Sequence, residues 1–436
     1  MSRTVALRSI GCRTNQQELS TLTFRLLKAG FSISDEVDDA DVVIVNTCCV
    51  TGLTESRTRR LIQALTRKAP QARFLVTGCM VQKDPLLLAP VAYWIVGNAR
   101  KENIPEIIDN EPAGIYVAPL NADPLGLNAD DFVRSALEAS KLTRIPVKIQ
   151  EGCNFRCSYC IVPSVRGPSR CAPLAGILAA FRAASQGGAK EIVVTGTHIG
   201  QYRHGECDGL VSLLGWILEI PGEFRVRLSS IDPRELTPEL LEMIGTNPRI
   251  CAHAHVSVQS LDPDILTAMN RPSIDFERMV GDLAGFRTRF PNAALGGDFI
   301  AGFPGESEAQ HRRTLLTIAM VGFTHGHVFR YSPRPGTPAA AMGSQNAEEV
   351  KKTRAADLQN ALESQNDRFM LAQIGTLTRI IVEETSPVRG TTPNYLRISV
   401  PDSNAPRNSL LDVVPCKVIQ GTRRYCLATV TGEQYV

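Results

Sequence analysis

The chain has 436 residues, 43% of them hydrophobic, and a formal net charge of +3. This is the make-up of an ordinary globular protein of about three domains, and a charge so small permits an RNA partner only through a local basic footprint. With no apolar run of about eighteen residues and no signal-like apolar stretch after Met1-Ser2-Arg3-Thr4, membrane spans and export are set aside, and the 12 cysteines read as reduced cytoplasmic thiols, several of them metal ligands.

The first third alternates strand and helix. Val5–Ile10 is a strand-like run ending at Gly11-Cys12, followed by a helix over Gln16–Lys28 with Leu19, Leu22, Leu26 and Leu27 at helical spacing. Asp41–Asn46 runs into Thr47-Cys48, a helix covers Thr54–Lys68, and Arg73–Thr77 runs into Gly78-Cys79. Such alternation predicts a parallel sheet with crossover helices. Cys12, Cys48 and Cys79 each end a strand, and in an open parallel sheet those ends share one edge where cofactors collect. They can therefore meet and hold a cluster; the alternative is that one or two are core thiols. Cys49 would point to the other side of an extended chain and is read as a bystander. Arg57, Arg59, Arg60, Arg67 and Lys68 form a solvated helix face, which would also suit RNA phosphates.

Glu111 to Leu142, with Pro112, Pro119 and Pro124 among Asn, Asp and Gly, reads as an irregular connection. Strands then resume at Val147–Gln150, Glu191–Thr195, Phe224–Leu228, His253–Val258, Gly297–Ala301 and His327–Tyr331. Helical stretches lie between, at Ala172–Ser185, Leu210–Leu218, Pro238–Ile244 and Glu308–Met320. These βα units predict a partial barrel whose working face is at the strand carboxyl ends.

Directly after the first of these strands stand Cys153, Cys157 and Cys160, spaced C-x3-C-x2-C on a tight loop. Three thiols cannot close a tetrahedral zinc site, and no further Cys or His lies at finger-like distance. An iron–sulfur cube fits, because three thiolates leave one iron open to another ligand. The alternative is three unrelated buried thiols. At the same edge lie Gly196-Thr197-His198, Ser229-Ser230, Gln259 and Gly302-Phe303-Pro304-Gly305-Glu306, each a ligand contact or merely a turn or cap. His198, His253 and His255 are read as packing or hydrogen-bonding groups and left out of the metal set. Ala347–Met370 is a polar helix. Short alternating runs at Leu377–Glu383, Tyr395–Val400, Leu411–Ile419 and Tyr425–Val430 then predict a small antiparallel barrel with a slight basic excess.

The chain resembles, nearly end to end, the methylthiotransferase family of radical S-adenosylmethionine (SAM) enzymes. The resemblance is carried by Gly11-Cys12-Arg13-Thr14-Asn15-Gln16, Asn46-Thr47-Cys48, Thr77-Gly78-Cys79 and residues 148–170. Arg227-Leu228-Ser229-Ser230, Gly302–Glu306 and Tyr331–Pro338 add to it. Arg166-Gly167-Pro168-Ser169-Arg170, Gly196–Gly200 and Arg334–Ala339 are most similar to the group acting on tRNA threonylcarbamoyladenosine. Two departures stand out: Ser257-Val258-Gln259-Ser260-Leu261-Asp262 where the family shows Pro-Leu-Gln-Ser-Gly-Ser, and Cys49 in place of a common Thr.

The resemblance implies an α/β architecture in three parts. A methylthiotransferase N-terminal domain (1–118) and a linker (119–141) precede a partial (β/α)6 radical SAM barrel (142–370) and a TRAM-type, OB-like antiparallel β-barrel (371–436). It implies two 4Fe-4S clusters, one on Cys153, Cys157 and Cys160 that cleaves SAM reductively, and an auxiliary one on Cys12, Cys48 and Cys79 that presents sulfur. SAM, as radical source and methyl donor, would touch Tyr159, Gly196, Thr197, Ser229, Gln259 and Gly302. RNA would meet Arg379, Arg397, Lys417, Arg423 and Arg424. The implied reaction places a methylthio group on C2 of N6-threonylcarbamoyladenosine beside the anticodon, an unactivated C–H position that suits radical chemistry. Implied partners are the tRNA anticodon loop and an electron donor such as flavodoxin or ferredoxin, in the cytoplasm and off the membrane. Isopentenyladenosine in tRNA or a ribosomal-protein aspartate is the alternative substrate, and an iron–sulfur redox or RNA-binding protein without catalysis is the alternative class.

Overall fold

The computed structural model describes residues 3–11, 13–120, 143–420 and 424–430. Cys12, Arg423 and most of the expected linker lie outside the described residues. The first sheet contains β1 (Thr4–Ser9), β2 (Ser32–Ser34), β3 (Val42–Thr47), β4 (Arg73–Gly78), β5 (Trp94–Val96) and β6 (Gly114–Tyr116). They are all parallel, in the order β2-β1-β3-β4-β5-β6. Val42–Thr47 is buried throughout because helices cover both faces, as a central parallel strand requires. Val43 and Val45 pack with Ile62 and Leu65 of the helix Gly52–Lys68 on one face, and Val42 and Ile44 with Leu22 and Leu26 of the helix Arg13–Lys28 on the other. The short strand β6 corrects the reading of Glu111–Leu142 as wholly irregular.

The central domain contains β7 (Arg144–Glu151), β8 (Arg170–Cys171), β9 (Glu191–Gly196), β10 (Arg225–Leu228), β11 (His253–Gln259), β12 (Ala294–Ala301) and β13 (His325–Arg330). β7, β9 and β10 run parallel, with β8 antiparallel on the end of β7, and β11, β12 and β13 form a second parallel set. Single bridges, Val226 to Ile250 and Ile231 to Val256, join the two sets. The result is an arc of six parallel strands, an open barrel as expected. Ile145, Val147, Ile149, Ile192, Val194, Ala254, Val256 and Val258 face the outer helices in one core. By strand alternation the residues between them face the lumen.

The helix Glu348–Ala372 leads from the outer side of β13 into the last module: β14 (Thr378–Thr385), β15 (Val388–Thr391), β16 (Arg397–Val400), β17 (Leu410–Ile419) and β18 (Tyr425–Val430). These close a barrel in the order β14-β15-β16-β18-β17, antiparallel except for the parallel β16–β18 pair. β15 was not separable by sequence pattern. This barrel seats on the amino ends of the central strands. Arg225 donates to the carbonyls of Arg379 (3.1 Å) and Thr391 (2.7 Å), and Arg227 to those of Thr392 (2.9 Å) and Pro393 (3.1 Å). Both guanidinium groups also grip the fully buried Glu191, at 2.7 and 2.6 Å. Among the described residues no helix is long and apolar enough to cross a membrane.

Candidate cofactor site

The cysteine loop leaves β7 through Gly152, which has φ 77 and lies against Pro168, so that any Cβ there would strike the Pro168 carbonyl. Cys153, Cys157 and Cys160 then line the carboxyl edge of the barrel, each partly exposed. The loop is pinned at several points. Ser158 N donates to Met269 O (2.9 Å), its hydroxyl to Ala268 O (2.9 Å), and Asn270 Nδ2 to Arg156 O (2.7 Å). Gln150, beneath it, donates to Gly152 O (2.7 Å) and Ser169 Oγ (2.9 Å) and accepts from His198 N (2.7 Å). Burial, reinforced by Cys157 and Cys153, pushes the Cys160 thiol up to about 12. Thiols crowded like this become stable thiolates when a metal supplies the positive charge, so the donor set fits an iron–sulfur cluster.

In the first domain Cys48 and Cys79 are buried at the carboxyl ends of β3 and β4. A Cβ built on Gly11, the neighbour of Cys12, would lie 3.2 Å from Cys48 Sγ, so the end of β1 meets Cys48. Cys49 is also fully buried, its thiol donating to Cys79 O at 3.4 Å. Burial, with Cys79 and Cys48 nearby, pushes that thiol up to about 12. Cys49 is therefore packed among these cysteines rather than turned away from them. The described members of this group fit a second cluster.

The two cysteine edges face each other across named side chains. Arg166, just past the loop, donates to Glu18 (2.7 Å), Glu151 (2.7 Å) and Asn15 (2.8 Å), with Lys148 bonded to Glu151 at 2.8 Å. Lys101 also pairs with Glu18. Burial alone would raise the Glu18 carboxyl, but Arg166, Lys101 and Lys148 outweigh it and hold it well below the usual carboxylate range. Asn98 donates to Val165 O at 2.7 Å and lies 3.9 Å from Cys79 Sγ, while Arg334 reaches back to Cys49 O (3.0 Å) and Glu55 (3.1 Å). No sequence periodicity signals these contacts, since they join residues up to 285 positions apart.

The remaining expected contacts divide. Thr197 Oγ1 and Ser229 Oγ are buried with no hydrogen-bond partner among the described residues, which suits a bound ligand. Gly196 packs on the Gln150 carbonyl, and Gln259 takes a left-handed φ of 67 at the end of β11. Tyr159 is half-buried beside Arg271, whose Nη1 lies 3.5 Å from its hydroxyl. Gly302 packs under Lys351, and its N–H donates to Glu306 at 2.8 Å, which fixes the turn. Sequence reasoning missed Asp232, Arg234 and Arg271. Asp232 pairs with Arg234 (2.7 Å) and Arg271 (2.8 Å), while the Arg234 guanidinium lies over Phe155 of the cysteine loop and His198 bonds Glu235 at 2.8 Å. The Asp232-Pro-Arg-Glu run after β10 was the one signal for Asp232 and Arg234, and Arg271 had none. In the last barrel Arg397 and Lys417 are exposed, whereas Arg379 pairs with Asp412 (2.5 Å) and Arg424 with Glu363 and Asp367 (2.9 Å each).

Residues 4–94 match a family model described as the uncharacterized protein family UPF0004, and residues 147–318 that of the Radical SAM superfamily. A threonylcarbamoyladenosine tRNA methylthiotransferase, MtaB, of Thermotoga maritima is 34% identical over 386 residues, 87% of each chain. The protein of the same name from Chlamydia pneumoniae is 32% identical over 408 residues, 91% of each. A tRNA-2-methylthio-N(6)-dimethylallyladenosine synthase of Erythrobacter litoralis is 31% identical over 394 residues, 88% of this chain and 87% of that one. The solved structure of the radical S-adenosylmethionine methyltransferase TsrM from Kitasatospora setae, with cobalamin and a [4Fe-4S] cluster bound, shares the fold. It has TM-score 0.56 and 15% identity, covering 78% of this chain and 77% of that one.

Proposed function

The chain belongs to the methylthiotransferase family of radical SAM enzymes, and from that premise we propose that it methylthiolates C2 of N6-threonylcarbamoyladenosine in tRNA, beside the anticodon. The observation that carries this reading is the meeting of two cysteine-bearing edges across Arg166, Asn98 and Arg334, which gives sulfur and radical chemistry one chamber. Cys153, Cys157 and Cys160 hold one 4Fe-4S cluster and Cys12, Cys48 and Cys79 the other. When bound, these groups supply the electron that cleaves SAM and the sulfur that is transferred.

The chain's own residues position the reactants. Gln150 fixes both the cysteine loop and the Gly196-Thr197-His198 turn, so the loop and the candidate SAM contacts move as one unit. Thr197 and Ser229 offer their buried hydroxyls to SAM, and Tyr159 walls the site beside Arg271. Glu18, Arg166 and Glu151 set the spacing of the two edges. The exposed Arg57, Arg59 and Arg60, with Arg397 and Lys417, meet RNA phosphates around the anticodon loop. The target base leaves its loop stack to reach the chamber. A small redox protein such as flavodoxin or ferredoxin donates the electron, and the protein works in the cytoplasm. Mass analysis of tRNA nucleosides from cells lacking the gene tests this. The 2-methylthio mark on threonylcarbamoyladenosine should vanish and return with the wild-type gene. An intact mark, with loss instead from dimethylallyladenosine, would move the enzyme to the other tRNA group.

A further inference from the structure

His255, Asp298 and His327 come from three adjacent strands, and alternation turns all three into the barrel lumen. Asp298 Oδ1 lies 3.1 Å from His255 Nε2 and 3.1 Å from His327 Nδ1, while Ser230 at the carboxyl edge donates to Asp298 Oδ2 at 3.5 Å. Room for this group comes from Gly296, the lumen residue before Asp298: any Cβ there would collide with His255 Nδ1 and His325 Nε2. Burial works against the Asp298 charge, but the hydrogen bonds from His255 and His327 outweigh it, and its carboxyl sits far below the usual range.

One nitrogen of His327 remains after this pairing. Nδ1–H is committed to Asp298, so Nε2 is the atom offered to the lumen, and the side chain is 59% exposed where His255 is 8% exposed. Two positions along β13, on the same face, Phe329 exposes its ring 6.4 Å from that of His327. A flat apolar ring beside an imidazole carried by a carboxylate is suited to a base that stacks and an anionic arm that is bonded. Among the described residues other lumen cations are engaged: Lys148 with Glu151, Arg225 and Arg227 with Glu191, Arg271 with Asp232. Arg330, the next residue on β13, is turned away to Glu348.

Resting on the function proposed above, we infer that His327, oriented by Asp298, binds the carboxylate of the N6-threonylcarbamoyl arm while Phe329 stacks on the adenine. The arm's carboxylate is what a dimethylallyl group lacks, so this contact separates the two tRNA substrates. Nε2–H donates to the substrate carboxylate while Nδ1–H stays on Asp298; Asp298 itself touches no substrate and acts as a positioning residue.

The test uses the reconstituted full-length enzyme and an anticodon stem-loop carrying N6-threonylcarbamoyladenosine. His327→Asn keeps a donor for Asp298 and removes Nε2. It should raise KM about tenfold or more, the scale of a hydrogen bond to a charged group, with a smaller fall in kcat. The same stem-loop with the carboxylate capped as a methyl ester should cost the wild-type enzyme a similar factor, with no further loss in His327→Asn. This arm needs no variant to fold. A KM within twofold of wild type, or ester and variant penalties that multiply independently, overturns the inference. So does one equivalent of zinc that the wild type binds and His327→Asn does not, which would make the three residues a metal site. A wild-type enzyme that leaves the threonylcarbamoyl stem-loop untouched and modifies a dimethylallyl one refutes the proposed function itself.

Discussion

At the amino ends of the central strands Glu191, Arg225 and Arg227 are buried with their charges paired, whereas at the carboxyl ends Thr197 and Ser229 bury hydroxyls that bond nothing among the described residues. Both ends line the same lumen, yet one has its polar groups saturated by the last barrel and the other keeps them unspent. A saturated end is fixed, because breaking any one bond strands a charge away from water. An unsaturated end is a binding surface, since a ligand that supplies the missing partner gains more there than it would on a solvated surface. The contrast sets a half that holds shape against a half that keeps polar groups in reserve.

The largest effects test the open end. Cys160→Ala should abolish both release of 5′-deoxyadenosine and methylthiolation, while Cys48→Ala should abolish only sulfur insertion, read by nucleoside mass analysis. If Cys48→Ala also stopped SAM cleavage, the two trios would not have separate duties. At the closed end Glu191→Gln should cost about 3–5 kcal/mol in urea unfolding, because it leaves two buried arginines underpaired. A loss below about 1 kcal/mol would show that the seat is softer than its geometry implies.

The same carboxylate gives a pH signature. Burial would raise Glu191, but Arg227 and Arg225 lower it from 4.5 to about 2. A depressed carboxyl contributes its stability above the unfolded value and loses it as pH falls from 4.5 toward about 2. Wild type should therefore lose about 3 kcal/mol more than Glu191→Gln across that window. Parallel pH curves for the two chains would remove the effect. Smallest of all, Ser229→Ala deletes a hydroxyl that bonds nothing among the described residues: thermal stability should hold or rise, and KM for SAM should increase about fivefold, or roughly 1 kcal/mol. Destabilisation instead would mean that the hydroxyl already has a structural partner.

How much of this could be read beforehand depended on range. Val42–Thr47 and the cysteine loop were legible because burial pattern and ligand spacing are local properties. Trp94–Val96 and Gly114–Tyr116 were not, since three residues carry no periodicity and their strand identity comes from a neighbour. The Arg166–Glu18 pair spans 148 positions, and the His255–Asp298–His327 group needs the register of three strands, so neither leaves a mark in any window of sequence. By sequence His255 reads as a packing or hydrogen-bonding group and His327 draws no reading, and only strand pairing shows the two meeting one carboxylate. Gly302, in a glycine-rich turn beside the site, has its place set by Lys351, about 50 positions away, which no local pattern shows.

Arg225 and Arg227 hold the last barrel through main-chain carbonyls of residues 379 and 391–393. An amide oxygen is present whatever side chain its residue bears, so mutational drift along that segment leaves the grip intact. Substitutions along that segment can therefore alter the barrel's outer surface without loosening its seat on the central domain.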